Sequence, residues 1–116
     1  MQHHKKGRIF GLPKKKREAL IRSLALSLVT KESIMTTEAR AREVRPYIEK
    51  LITAGKKDSL ASRRLALSRL HSPLGVKKIF AEISPKYKSR AGGYTRITKV
   101  PARIKDGSKM AVIELV

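Results

Sequence analysis

Ten consecutive residues carry the densest chemistry of the chain: Tyr87-Lys88-Ser89-Arg90-Ala91-Gly92-Gly93-Tyr94-Thr95-Arg96. Arginine pairs bidentately with phosphate, and tyrosine can stack on an unpaired base or pack on a ribose. Gly92 and Gly93 between them let a sugar-phosphate backbone approach closely. A basic loop of this kind, with glycines and interleaved aromatics, fits irregular RNA better than regular duplex DNA. Tyr94 also has a second reading, as a hairpin core residue with its hydroxyl at the surface. Arg90 and Arg96 bracket the Gly-Gly turn, so packing of Tyr94 and Ile97 would hold both guanidiniums in place. A preorganised arginine loses less entropy on meeting phosphate than a lysine in a floppy tail.

Two further groups of cations fit the same chemistry. Lys5, Lys6, Arg8, Lys14, Lys15, Lys16 and Arg17 follow one another with no acid among them, beside His3, Gly7 and Gly11. Such a segment is suited to lying extended along phosphates, with its first part ordering only on binding. Arg63, Arg64 and Arg69 lie in a stretch without acids. Helical spacing is expected to put Arg63 and Arg69 on one face, with Arg64 further round as a solvated, helix-pairing or phosphate-facing side chain. Arg103, in a basic loop near the C-terminus, completes the RNA-binding candidates.

No catalytic constellation accompanies them. His3-His4 has no Cys or acid nearby, and His71 sits where a helix should end, a favourable place for a cation. Gly7-Arg8-Ile9-Phe10-Gly11 lacks the Lys-Ser/Thr pair of a phosphate-binding loop. The acids are scattered. We therefore expect no catalytic residue, metal, cofactor or small-molecule substrate, and read the chain as a binding module.

Composition points the same way. In 116 residues there are 28 Lys plus Arg against 9 Asp plus Glu, a formal net charge of +19. So large an excess needs a polyanion to relieve its self-repulsion, which makes nucleic acid the leading partner class. The 41% hydrophobic fraction still supports a core, an aliphatic one, because aromatics are 4% and Trp is absent. No Cys is present, which suits a reducing compartment, and no apolar run approaches the ~20 residues of a membrane span. The expectation is a cytoplasmic protein without a membrane partner. Charge is also segregated. Residues 1–17 hold seven bases and no acid, and residues 86–109 hold eight bases and one acid. In residues 31–58, five acids nearly balance seven bases, so that segment should turn a face elsewhere. A nucleoid-type DNA-binding protein is the alternative, although no helix-turn-helix spacing or minor-groove wedge is visible.

The elements that must position these residues follow from periodicity and punctuation. After a basic extension at 1–12, Pro13 should start a helix to about residue 30, with Ile21, Leu24, Ala25 and Leu28 on one stripe. Ser33, Ile34 and Met35 read as a short strand. Thr36 or Thr37 caps a second helix carrying Val44, Ile48, Leu51 and Ile52, kinked at Pro46 and stopping at Gly55. Asp58 or Ser59 caps a third helix to about His71. Ser72-Pro73 opens a fourth, with Val76, Ile79, Phe80 and Ile83, that Ser84-Pro85 should end. Residues 94–100 and 110–116 are β-prone and make a hairpin around the long loop 101–109. The fold class is α/β of the α+β type: two layers, a small mixed sheet covered by helices, in one domain spanning 13–116.

Set side by side, these segments resemble one known family. Thr36-Thr37-Glu38-Ala39-Arg40-Ala41-Arg42-Glu43-Val44-Arg45-Pro46 with Glu49-Lys50-Leu51-Ile52 is similar to the central helix of the bacterial ribosomal large-subunit protein seventeen family. Arg90-Ala91-Gly92-Gly93-Tyr94-Thr95-Arg96-Ile97 resembles that family's most distinctive segment, and Met110-Ala111-Val112-Ile113-Glu114-Leu115-Val116 its last strand. His3, Lys6-Gly7-Arg8 and Gly11 resemble its opening. Gln2 and His4 stand where the family usually has Arg, Asp106-Gly107 reverses its Gly-Asp order, and Lys109 replaces a typical Pro. The resemblance implies a structural protein that binds large-subunit rRNA near the mouth of the peptide exit tunnel, with large-subunit proteins twenty-two and thirty-two as neighbours. It also implies three helices between the first and second strands.

Overall fold

The computed structural model describes residues 13–116. The expected extension at 1–12, and with it His3, Lys5, Lys6 and Arg8, lies outside the described residues.

Helix α1, Lys14–Lys31, begins after Pro13, whose carbonyl accepts from the Arg17 N–H at 2.9 Å. It stops where Glu32 turns left-handed at φ 64° and returns its N–H to the Leu28 carbonyl. Ala25, Leu28 and Val29 are buried, with Ile21 and Leu24 packed beside them, which is the stripe expected from the spacing. Strand β1, Ser33–Thr37, leads directly into α2, Glu38–Gly55, whose cap is Thr37: its hydroxyl accepts from the Arg40 N–H. Ala41, Val44, Ile48, Leu51 and Ile52 form the buried side of α2, which runs through Pro46. Ser59 and Ser72 cap α3, Leu60–Leu70, and α4, Pro73–Lys78, in the same way, at 3.0 and 3.1 Å.

Ser84-Pro85 does not end the fourth helix. α4 widens into a π-helical turn at Ile79–Ile83, closed by the Ser84 N–H on the Ile79 carbonyl, and continues as α5, Ser84–Lys86. Proline stops a helix because it lacks an N–H and its ring clashes with the carbonyl four residues back. Here the widened turn comes before Pro85 and the ring falls at the start of the new segment, where its missing donor leaves no bond unmade. Ser84 is itself buried and donates to the Ile52 carbonyl at 2.8 Å, which ties the turn to α2 against Gly55.

Strands β2, Thr95–Val100, and β3, Met110–Leu115, form the hairpin. The sheet order is β1-β3-β2 and both pairings are antiparallel, so the expected mixed sheet is corrected to an antiparallel one. β1 and β2 run the same way, but β3 lies between them and no parallel pair forms. Ile34, Ile113 and Ile97 align across the sheet on the side that α1 and α2 cover. The architecture is α+β in two layers, with three main helices between the first and second strands and an aliphatic core centred on Leu28, Ile48, Ile52, Ile79 and Ile113.

Candidate nucleic-acid interface

The loop at 88–93 is anchored from beneath. Tyr94 is 1% exposed, its ring 5.2 Å from that of Tyr87, and its hydroxyl donates to the Arg90 carbonyl and meets the Thr53 hydroxyl. Lys56 lies over the Tyr94 ring, 4.5 Å from its centroid, and its ammonium donates to the same Arg90 carbonyl. That ammonium, and then the Thr53 hydroxyl, hold the Tyr94 phenol below its ordinary value of 10.0. Tyr87 donates to the Val116 carbonyl at 2.5 Å, and burial pushes its phenol up. Tyr94 is thus a core residue under the loop, the second of its two expected readings, and no ring face is open for a base.

Above this anchor the side chains of Lys88 and Arg90 are exposed, and among the described residues no acid pairs with either. Gly93 adopts φ +66°, the left-handed conformation that glycine takes without cost. A Cβ at Gly92 or Gly93 would meet nothing within 4 Å, so the outer side of the turn is open to a large ligand. Arg96 differs from Arg90. Its Nε and Nη2 both donate to Glu114 Oε1, at 3.1 and 2.9 Å, across the β2–β3 pair.

The α3 arginines separate. Six positions turn a helix by about 600°, so Arg63 and Arg69 lie about 120° apart rather than on one face. Arg63 donates to Asp58 at 2.7 Å and stacks over the Phe80 ring at 5.0 Å, a built ion pair and cation–π contact. Arg69 lies beside Tyr47 of α2, whose hydroxyl donates to the Arg69 carbonyl. Arg64 is exposed and pairs with no acid among the described residues. Lys14, Lys15 and Lys16 are exposed and Arg17 partly so, on the first turn of α1. Arg103 is paired with Asp106 at 3.4 Å inside the hairpin loop.

Sequence reasoning missed Tyr47. It is a partly exposed aromatic whose hydroxyl lies in the field of Arg22 and Arg69, and with Lys50, Leu65 and Arg69 it lines a small hollow between α2 and α3. Burial raises its phenol pKa, the arginines opposing. The usable signal was its position, one residue from the buried Ile48 on the flank of the α2 stripe. Acids on α2 are engaged by the protein: Glu38 by Arg42 and Lys99, Glu49 by Arg45 and by the Thr95 hydroxyl at 2.9 Å. Among the described residues no cluster of His, Asp or Glu could hold a metal, and no helix is long and apolar enough to cross a membrane.

The profile of the family described as Ribosomal protein L17 matches residues 20–116. The chain is 47% identical over 116 residues to the large ribosomal subunit protein bL17 of Pelobacter propionicus, covering all of this chain and 91% of that one. It is 50% identical to the protein of that name from Zymomonas mobilis, covering all of this chain and 83% of the other. With the Fusobacterium nucleatum protein of the same name it shares 47% over the whole of both chains.

Proposed function

The chain belongs to the ribosomal protein L17 family, and on that premise we propose that it binds and clamps large-subunit rRNA. It is a structural constituent of the large ribosomal subunit and not an enzyme. One observation carries the rRNA reading: the cations divide into two populations. Arg42, Arg45, Arg63, Arg96 and Arg103 are matched by the chain's own acids. Lys14, Lys15, Lys16, Arg17, Arg64, Arg69, Lys88 and Arg90 have no acid partner among the described residues, and a polyanion supplies what they lack. Tyr47 beside Arg69, and the open turn at Gly92 and Gly93, add a stacking surface and a place for close backbone approach. The site near the exit-tunnel mouth and the neighbours, large-subunit proteins twenty-two and thirty-two, rest on the family resemblance. Localisation follows as ribosome-bound in the cytoplasm.

Binding of the whole chain to a large-subunit rRNA fragment, titrated across salt, tests the reading. The logarithm of affinity should fall linearly with that of salt, by about 0.7 to 0.9 units of slope per phosphate contact. Duplex DNA of equal length should bind more weakly at every salt concentration. Equal or tighter binding to DNA would favour a nucleoid protein instead.

A further inference from the structure

β3 reads Met110-Ala111-Val112-Ile113-Glu114-Leu115, apolar at five positions and therefore on both sides of the sheet. Such a run marks a strand buried on both faces, whereas an antiparallel sheet with one wet face alternates apolar with polar residues. Yet α1 and α2 cover one side only. On the other side the register aligns Met35 with Val112 and Thr98, and Thr37 with Met110 and Val100. Met35 is 66% exposed, Val100, Met110 and Val112 are partly buried, and no described helix covers this row. Only Arg103 of the hairpin loop reaches its end, against the Met110 sulfur at 3.4 Å.

The chemistry of the face narrows its occupant. The outward positions of the three strands carry only Arg96 and Glu114 as charged groups, and these pair with each other. Met35, Val100, Met110 and Val112 share this side with the uncharged Ser33, Thr37 and Thr98, and Arg103 at its edge is paired with Asp106. A net-neutral, largely apolar surface on a chain of charge +19 is the reverse of a phosphate-facing one. Loss of charge at the centre, with methionine present and an arginine at the rim, is the composition of a protein interface. A second copy is a poor fit. Three strands about 4.8 Å apart, each rising about 3.3 Å per residue, make a face of a few hundred Å². A stable dimer needs about 800 Å² per partner, and two such cationic chains repel. A patch this small holds a partner that a larger assembly has already brought near.

We propose that the bare face of the β1-β3-β2 sheet docks a neighbouring protein of the large subunit through an uncharged, aliphatic segment of that neighbour. The proposal rests on the functional reading above. Its test uses the whole chain incorporated into large subunits, with a photoreactive diazirine side chain at position 98. Irradiation of purified subunits is expected to cross-link it to an aliphatic segment of another subunit protein, identified by mass spectrometry. Met35→Lys, across β3 from position 98, is expected to abolish that cross-link while the affinity for an rRNA fragment does not fall. Circular dichroism checks the fold, with Val100→Lys as the second variant should Met35→Lys lose it. Cross-linking to rRNA, to a second copy, to residues 1–12 of the same chain or to solvent alone overturns the proposal and leaves the functional reading standing. So does a protein cross-link that survives both lysine variants. A chain that does not sediment with large subunits overturns the functional reading, and the proposal with it.

Discussion

Tyr94 shows how one side chain serves a binding loop without touching a ligand. Its ring fills the core under the turn, and its hydroxyl and Lys56 together hold the Arg90 carbonyl. Tyr94→Phe should therefore leave rRNA affinity close to the parent's, whereas Tyr94→Ala should cost about 3–5 kcal/mol of stability, the usual range for emptying an aromatic core site. Denaturant unfolding beside rRNA binding checks both; a large affinity loss in a stable Tyr94→Phe would return the ring to the interface. The two arginines flanking the turn should also differ. Arg90 meets no acid among the described residues, while Arg96 already spends two donors on Glu114. Arg90→Ala should cost about 1–3 kcal/mol of rRNA binding, as charged hydrogen bonds do, and Arg96→Ala clearly less. Affinities of the two variants for one fragment decide it. The residue types of this loop were legible in the sequence, but the quenching of Arg96 was not, because Glu114 is its partner only through the β2–β3 register.

At the scale of elements, what could be read in advance was local chemistry. Thr37, Ser59 and Ser72 each satisfy an N–H three residues on, and a cap needs nothing beyond its own turn. The helix running through Ser84-Pro85 was not readable, since it depends on Ser84 reaching the Ile52 carbonyl of a helix thirty-two positions earlier. That contact is tight enough to test. A Cβ on Gly55 would lie 2.1 Å from the Ser84 hydroxyl oxygen and 2.9 Å from its Cβ. Gly55→Ala should destabilise the protein by about 1–3 kcal/mol through overpacking, despite the better helix propensity of alanine. A chemical-denaturation midpoint at or above the parent's would refute this. The hairpin loop offers a pH test. Asp106 is held below its ordinary 3.8 first by the Ser108 backbone N–H, at 3.0 Å, then by the Ser108 hydroxyl and Arg103. A lowered carboxyl pKa stabilises the folded loop above the unfolded value and loses that contribution as pH falls through the folded one. The Ser108 amide should lose exchange protection on acidification below 3.8, and Asp106→Asn should show no such transition.

For the molecule as a whole, the partner class was legible because +19 is a sum, and a sum does not depend on the fold. Which cations remain unanswered does depend on it: Arg63 meets the Phe80 ring, and Arg96 meets Glu114, only once distant segments come together. The order of the sheet has a further consequence, and it concerns time. Chains emerge from the ribosome N-terminus first, at about 5–20 residues per second. β1 and β2 are both made before β3, yet each pairs with β3 alone, Ser33 and Arg96 both meeting Glu114. Neither edge strand has a strand partner until β3 is made, and Ile34 and Ile97 wait for Ile113 to fill the row between them. The sheet closes only after residues 110–115 have cleared the machine that made them.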